Sequence, residues 1–169
     1  MGTYVKKSLN SLFWLMDKVD KKHYLKLYPR YLKWLGIQID SENVAGTWIS
    51  PTTFFDSSKY NYLEIGKAVT ISFDVSILVH DFSIVHAARS IGKKTNSIIY
   101  KRVKIGNNVF IGAKSIIRPG SIIGDNCAVG GGTVVRGHLE ANSIYAGNPC
   151  KKIGNVDNFT QKYKELIAE

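Results

Sequence analysis

Cysteine, acidic side chains and long apolar runs are all scarce in this chain of 169 residues. Two cysteines cannot build a disulfide framework, which favours a reducing, cytoplasmic setting. No apolar run approaches the roughly 18 residues of a membrane span, and we expect no secretory leader. Because 13 acidic side chains face 23 basic ones, the formal net charge is +10, which predicts an anionic partner.

The basic surplus is concentrated in residues 82–104, which contain six basic side chains and no acidic one. Such a run is most often a solvated loop. A nucleic-acid partner is a competing interpretation of the charge, but no nucleic-acid-binding motif accompanies it, and we expect none. The six side chains are Arg89, Lys93, Lys94, Lys101, Arg102 and Lys104.

Residues 1–36 have the spacing of a helical segment, in which Pro29 indicates a break or the start of a second helix. We interpret this segment as a cap on the main domain. The aromatic Trp14 and Trp34, flanked by lysines, favour an alternative in which the segment contacts a membrane surface. One face of the first helix carries Leu9, Leu12, Phe13 and Met16.

An aliphatic residue recurs every six positions in the second half of the chain. The series is Ile105, Ile111, Ile117, Ile123, Val129 and Val135, and the same spacing occurs upstream at Ile65, Ile71 and Ile77. Four residues after each of the first five lies a small side chain: Val109, Ser115, Ser121, Cys127 and Thr133. Neither a helix nor a two-sided sheet has this period. A parallel β-helix does, with three hexapeptides in each coil of about 18 residues.

The period also predicts how the chain is divided. Residues 37–153 form the β-helix domain, and because 28 residues separate Ile77 from Ile105, an insertion at about 81–104 interrupts the repeat. The open ends of the aliphatic column require caps. We assign that role to the N-terminal helical segment and to a short C-terminal helix over residues 154–169. The apolar side of that helix contains Phe159, Tyr163, Leu166 and Ile167.

The segment from Ile105 to Ile153, which closes on Ala146-Gly147-Asn148-Pro149, resembles the C-terminal signature of the hexapeptide-repeat acyltransferases. Upstream, ISPTTFFDSS and VSILVHDFSI resemble sugar O-acetyltransferases of capsule and lipopolysaccharide gene clusters. The resemblance covers about residues 37–165. It implies an all-β fold, a left-handed parallel β-helix in the form of a triangular prism.

The resemblance also implies a function. Members of this family are homotrimers that transfer an acetyl group from acetyl-CoA, with active sites between adjacent prisms. A long loop of one subunit reaches its neighbour, and the insertion here occupies the place of that loop. We therefore expect an O-acetyltransferase that acts on a sugar or polysaccharide precursor, with lysines and arginines of the loop contacting phosphate.

Histidine is the usual general base near neutral pH. His80 lies three residues after Ile77 and matches the family's catalytic histidine before the loop. Asp81 is a candidate to orient it, although neighbouring side chains of a strand point to opposite sides. His86, inside the loop, is a candidate contact to the acceptor.

The resemblance transfers the donor contacts to four further residues. Backbone amides that approach the arm of coenzyme A fall on Ala113 and Gly131, and basic positions near its nucleotide fall on Arg136 and Lys151. No metal is expected in the reaction.

Three alternatives compete with this interpretation. N-acetylation of a nucleotide-linked amino sugar would use the same donor and a similar basic loop. A γ-type carbonic anhydrase shares the prism but needs three metal-bound histidines, and residues 105–135 contain none. A non-catalytic trimeric protein would not need His80 at the start of the loop. The identity of the acceptor is left open by the sequence.

Overall fold

A helical hairpin precedes the strands. The computed structural model describes residues 3–167, with side chains from residue 9 onward, so the outermost residues of both expected terminal segments lie outside it. Helix α1 (Thr3–Val19) and helix α2 (Lys21–Trp34) meet at Asp20, whose carboxylate accepts a hydrogen bond from the His23 backbone N at 3.2 Å. The break expected at Pro29 is wrong, because Pro29 lies buried inside α2 and the N-cap at Asp20 separates the helices.

Short parallel strands, numbered in chain order, form three sheets. The first contains β1 (Gln38–Ile39), β4 (Leu63–Ile65), β9 (Val103–Ile105), β12 (Ile122–Ile123) and β15 (His138–Leu139). The second contains β2 (Trp48–Ile49), β5 (Thr70–Ile71), β10 (Phe110–Ile111), β13 (Ala128–Val129), β16 (Ser143–Ala146) and the antiparallel β17 (Lys151–Asn155). The third contains β3 (Phe54–Phe55), β6 (Ser76–Ile77), β11 (Ile116–Ile117) and β14 (Val134–Val135).

Successive strands of the chain enter the three sheets in turn, so each coil contributes one strand to each sheet. Ile111 pairs with Val129 and Ile117 with Val135, both 18 residues apart. The expected parallel β-helix with hexapeptide repeats is therefore confirmed. We name the three edges of the prism by the turns that form them. Turns from the first sheet to the second form the first edge, and turns from the second sheet to the third form the second edge. Turns from the third sheet to the next coil form the third edge.

The period of six arises from what each hexapeptide buries. The aliphatic residue of every repeat points into the prism, and Ile71, Ile111 and Ile117 have no exposed side-chain surface. Each such side chain stabilises the fold by about 1.5–3 kcal/mol. The small residue four positions later is also buried at the corner, where its hydroxyl is satisfied by carbonyls: Ser115 Oγ donates to Gly112 O at 2.8 Å and to Gly130 O at 3.0 Å.

The tight corners need a left-handed residue immediately before the small one. Asn108 (φ 51°), Asn126 (φ 56°) and Gly132 (φ 68°) occupy this position, which asparagine and glycine tolerate best. The asparagines also form a ladder along the first edge, since Asn108 Nδ2 donates to Asn126 Oδ1 at 2.9 Å.

The insertion leaves the prism at the third edge, after β6. Strands β7 (His80–Asp81) and β8 (Ile99–Tyr100) pair antiparallel at its base, and α3 (Ser83–Ser90) lies between them. The Lys101 backbone N donates to Val79 O at 2.9 Å, which ties the base of the insertion to the prism.

The two ends of the prism differ. At the N-terminal end α2 buries Tyr24, Tyr28 and Leu32, and the Tyr24 hydroxyl donates to Ile49 O in the first coil. At the C-terminal end, α4 (Val156–Lys162) and a 3₁₀ turn (Lys164–Leu166) bury no side chain. The apolar side chains expected to cap the column there, Phe159 and Leu166 among them, are exposed in the single chain.

Candidate active site

His80 is held at the base of the insertion by the stacking of the coils. After β6, the Leu78 backbone N still donates to Ile117 O of the next coil at 2.9 Å, and Val79 is fully buried. The chain leaves the prism at the following residue. The backbone before His80 is therefore held by the coils, while the His80 side chain is partly exposed (28%).

A carboxylate from the preceding coil orients His80. Asp56 follows Phe55, which pairs with Ile77 in the third sheet, and this register brings Asp56 beside residues 79 and 80. Asp56 Oδ2 accepts hydrogen bonds from the backbone N of Val79 at 3.0 Å and of His80 at 3.2 Å, and from His80 Nδ1. The other oxygen accepts from Ser58 N at 3.0 Å and from Ser58 Oγ at 2.7 Å.

Asp56 is ionised although only 3% of it is exposed. Burial by itself raises the pKa of this carboxyl, but the hydrogen bonds from Ser58, Val79 and His80 outweigh burial and lower its pKa from 3.8 to about 2. An ionised Asp56 requires the hydrogen of a neutral imidazole on Nδ1, which leaves the lone pair on Nε2. His80 Nε2 is thereby prepared to accept a proton.

Aromatic side chains limit the motion of the His80 ring. Phe82 meets it edge-on with ring centroids 5.0 Å apart, and Tyr100 on β8 lies 6.2 Å away. Ser58 Oγ is also 3.2 Å from Nδ1. These contacts and the hydrogen bond to Asp56 fix the direction of the imidazole ring.

The expectation that Asp81 orients His80 is not met by the contacts. Because adjacent side chains of a strand alternate, Asp81 points to the other side of the β7–β8 hairpin, where its Oδ2 lies 3.6 Å from Arg118 Nη2. Its Oδ1 accepts from the Ser83 backbone N at 2.7 Å, and this hydrogen bond lowers the pKa of Asp81.

The side of the hairpin that faces Asp81 contains a cationic cavity of about 250 Å³. Lys101, Arg118 and Arg136 line it, together with Asp81 and Ser83. Three cations against one carboxylate give the cavity an excess of positive charge. A Cβ on Gly120 (φ 84°) would lie 3.0 Å from Lys101 Cδ, so the absence of a side chain there makes room for the lysine stem.

Of the four expected donor contacts, Arg136 lines this cavity and the other three lie elsewhere. Ala113 and Gly131 occupy stacked turns of the second edge, and the Gly132 backbone N donates to Ala113 O at 2.8 Å. A Cβ on Gly131 would lie 3.2 Å from that carbonyl. Lys151 is exposed at the start of β17. In one chain these residues and His80 are separated by the third sheet.

The remaining histidines have other surroundings. His86 is exposed on α3, and His138 is exposed on β15. His23 Nδ1 is 2.7 Å from Asp20 Oδ2 at the start of α2. Among the residues that the structure describes, no group of three or more His, Cys, Asp or Glu side chains is placed to hold a metal ion.

Sequence reasoning missed Asp56 and Ser58. They lie 24 and 22 residues before His80, and both belong to the ISPTTFFDSS segment. The signal that finds them is the register of the first two coils, because Phe55 precedes Asp56 at an inward position that stacks on Ile77.

Fold and site together define a hexapeptide-repeat β-helix with an oriented histidine at the start of its insertion. The family model for bacterial transferase hexapeptide (six repeats) matches residues 102–137. Protein CapG of Staphylococcus aureus is 36% identical over 150 residues, which cover 86% of this chain and 84% of CapG. The chain therefore belongs to the hexapeptide-repeat transferase family.

Other similar proteins have named activities. Galactoside O-acetyltransferase of Escherichia coli K12 is 33% identical over 99 residues, which cover 59% of this chain and 47% of that enzyme. The chain thus spans about half the length of this relative.

Solved structures agree on the fold. A maltose O-acetyltransferase from Clostridium difficile 630 is 28% identical, with a TM-score of 0.58 over 90% of this chain and 85% of that one. A galactoside acetyltransferase in complex with coenzyme A gives a TM-score of 0.60 at 21% identity, over 92% of this chain and 83% of that one. The expected left-handed β-helix is confirmed by this likeness.

Proposed function

We propose that the chain is an acetyl-CoA-dependent O-acetyltransferase that acetylates a hydroxyl of a sugar or polysaccharide precursor. The observation that carries the proposal is the buried, ionised Asp56 on His80 Nδ1, which leaves Nε2 as a base at the entrance of the insertion. Family membership supplies the reaction class, and relatives named galactoside and maltose O-acetyltransferase support a sugar acceptor.

In the proposed reaction His80 Nε2 takes the proton of the acceptor hydroxyl. The oxygen of that hydroxyl attacks the carbonyl carbon of the thioester. The new C–O bond forms, the carbonyl electrons move to oxygen, and a backbone amide of a tight turn stabilises that charge. The C–S bond then breaks, and the departing thiolate takes the proton from the imidazolium. Asp56 stabilises the imidazolium during both steps and stays ionised throughout.

The cationic cavity is assigned to the donor. Coenzyme A carries phosphates, and guanidinium groups such as those of Arg118 and Arg136 bind phosphate with two parallel hydrogen bonds. Lys101 adds a third positive charge. In this proposal Lys151 contributes near the nucleotide, and amides at Ala113 and Gly131 contact the arm of the donor.

Second copies of the chain complete the site in this proposal. The residues assigned to the donor arm lie on the second edge and His80 on the third, so one prism cannot present both sets to one thioester. A homotrimer brings the second edge of one subunit to the third edge of its neighbour. Exposed outward side chains on the strands, Phe110, Ile116 and Ile122 among them, supply apolar area for such an interface.

The helical hairpin offers a surface for membrane contact. Leu12, Leu15 and Val19 follow one another along one face of α1 and are 51%, 51% and 72% exposed. Trp14 and Lys18 flank this stripe and are exposed as well. Apolar, aromatic and basic side chains in this order suit the headgroup region of an anionic bilayer. No helix within residues 3–167 is long and apolar enough to span a bilayer.

The proposal is tested by thiol release from acetyl-CoA with a panel of hydroxyl and amine acceptors. His80→Gln should reduce turnover by about 10²–10⁴, while the matched variant His138→Gln keeps it. Retained turnover in His80→Gln, in a protein that sediments as the same oligomer, contradicts the assignment of the base. Turnover of amines alone would replace O-acetylation by N-acetylation.

A further inference from the structure

A second depression lies on the side of the β7–β8 hairpin that faces the His80 ring. We call it the aromatic groove and define it by Leu35, Ser58, Lys59, Tyr62 and Arg102, which line an open volume of about 670 Å³. Ser58 connects the groove to the site, because its Oγ is 3.2 Å from His80 Nδ1. Tyr100 connects it too, since its ring lies 6.2 Å from both His80 and Tyr62.

Two cations face this groove without a carboxylate among its lining residues. Lys59 Nζ lies 4.2 Å from the ring centroid of Tyr100 and 5.0 Å from that of Tyr62. Arg102 Cζ lies 4.9 Å from the Tyr62 centroid, and its Nη1 donates to Asn61 O at 3.0 Å. The aromatic rings and one carbonyl therefore hold both cations in position.

The two carboxylates that flank the groove segment in the sequence, Asp56 and Glu64, are engaged elsewhere. Asp56 is buried against His80, and Glu64 Oε1 is 2.8 Å from Lys104 Nζ. A ligand that brings a negative charge into the groove therefore gains two charge-assisted contacts without first breaking an ion pair. A neutral ligand gains neither of them.

The two tyrosines add a shaped apolar wall. Tyr62 and Tyr100 meet edge to face at 79°, and each combines an apolar ring with a hydroxyl. Such a surface suits the C–H face of a pyranose ring together with its hydroxyl rim. The groove thus combines sugar-sized aromatic contacts with positive charge, and Ser58 and Tyr100 connect it to the His80 ring.

We propose that the acceptor is an anionic saccharide, whose carboxylate or phosphate is held by Lys59 and Arg102 while one of its hydroxyls faces His80. This inference rests on the proposed O-acetyltransfer and names its substrate class. The hairpin then separates two anion sites, one for the donor around Arg118 and one for the acceptor around Arg102.

The test compares digalacturonate with galactobiose, a neutral disaccharide that has a hydroxymethyl group wherever digalacturonate has a carboxylate. Galactose 1-phosphate is added as a sugar whose negative charge is a phosphate. Binding is measured by calorimetric titration, and turnover by thiol release from acetyl-CoA. We expect digalacturonate or galactose 1-phosphate to bind at least about tenfold more tightly than galactobiose, as two charge-assisted contacts imply. The stronger of the two anions identifies carboxylate or phosphate as the group recognised.

Variants locate the effect. Lys59→Gln combined with Arg102→Gln should weaken binding of the anionic sugar about tenfold or more, leave galactobiose within about twofold, and leave the KM for acetyl-CoA unchanged. Lys162→Gln combined with Lys164→Gln removes the same charge from the C-terminal end of the chain and should change none of these values. Thermal unfolding of each variant shows whether it is folded.

The outcomes separate the two proposals. Equal binding of charged and neutral sugars, or an equal loss for both in the Lys59 and Arg102 variant, overturns the anionic acceptor even when thiol release persists. Absence of thiol release with every sugar overturns the proposed function, while the titration still decides whether the groove selects negative charge.

Discussion

The exchange Asp56→Asn removes the negative charge beside His80 and keeps the size of the side chain. The amide oxygen can stay on the side of the Val79 and His80 donors, where Asp56 Oδ2 accepts from both backbone N atoms and from Nδ1. The amide nitrogen then faces Ser58, whose backbone N–H loses its acceptor at 3.0 Å. The variant therefore keeps the direction of the imidazole but leaves the imidazolium of the reaction without its counter-charge.

The size of the effect follows from the step that the charge assists. General base catalysis contributes about 10²–10⁴ in rate, and a barrier higher by about 3–5 kcal/mol corresponds to that range. We expect kcat to fall by this factor while the KM for acetyl-CoA stays within about twofold, because no donor contact changes. Asp81→Asn is the matched control, since Asp81 faces Arg118 on the other side of the hairpin, and it should keep kcat within about threefold.

The assay is steady-state thiol release at saturating acetyl-CoA with the best acceptor of the panel. Asp56→Asn activity above about one third of wild type, or a loss that appears only in the KM, would refute the role of Asp56 as a positioning residue. A larger loss in Asp81→Asn than in Asp56→Asn would reverse the assignment of the two carboxylates.

The same carboxylate predicts a pH dependence of stability. Its pKa is about 2 in the folded chain against an ordinary value of 3.8, so the ionised form stabilises the fold above about pH 4, by about 2 kcal/mol. That contribution is lost as the pH falls from about 4 to 2. Urea unfolding at pH 5 and pH 2.5 should show the loss in wild type and a smaller one in Asp56→Asn; identical pH dependences contradict the pKa.

Three further predictions concern the donor, the core and the cap. Arg118→Gln combined with Arg136→Gln should raise the KM for acetyl-CoA about tenfold and weaken its dependence on salt, as measured by thiol release at two ionic strengths. Ile111→Ala, at a site with no exposed surface, should lower the free energy of unfolding by about 2–5 kcal/mol in urea titrations. Leu12→Gln combined with Leu15→Gln should abolish co-sedimentation with phosphatidylserine vesicles and leave turnover of soluble acceptors unchanged.

Each of these predictions has an outcome that contradicts it. An unchanged KM in the Arg118 and Arg136 variant, or an equal rise in the Lys162 and Lys164 control, assigns the donor phosphates to another surface. A cost at Ile111 below about 1 kcal/mol would mean that the column is not the stabilising core. If the wild-type protein does not bind anionic vesicles, or if the Leu12 and Leu15 variant changes the oligomeric state instead, the apolar stripe of α1 belongs to a contact between subunits.

The sequence by itself determined the β-helix, because its signal is local and repeated. Each hexapeptide places one aliphatic residue inward and one small residue at a corner, so the period of six is visible without any knowledge of pairing. The pattern predicts Ile111 and Ile117 inside the prism and Ser115 at a corner, and all three are fully buried. The loss of phase between Ile77 and Ile105 likewise located the insertion and, with the resemblance, selected His80.

Only the tertiary structure decided which groups surround that histidine. Asp56 and His80 are 24 residues apart and belong to different coils, and they meet because Phe55 stacks on Ile77 in a parallel sheet. Asp81, the neighbour in sequence, is directed to Arg118 by the alternation of a strand. The groove around Lys59 and Arg102 also depends on packing between distant segments. A sequence pattern predicts which side chains each repeat buries. The site consists of side chains from different repeats, and only the register of the coils brings them together.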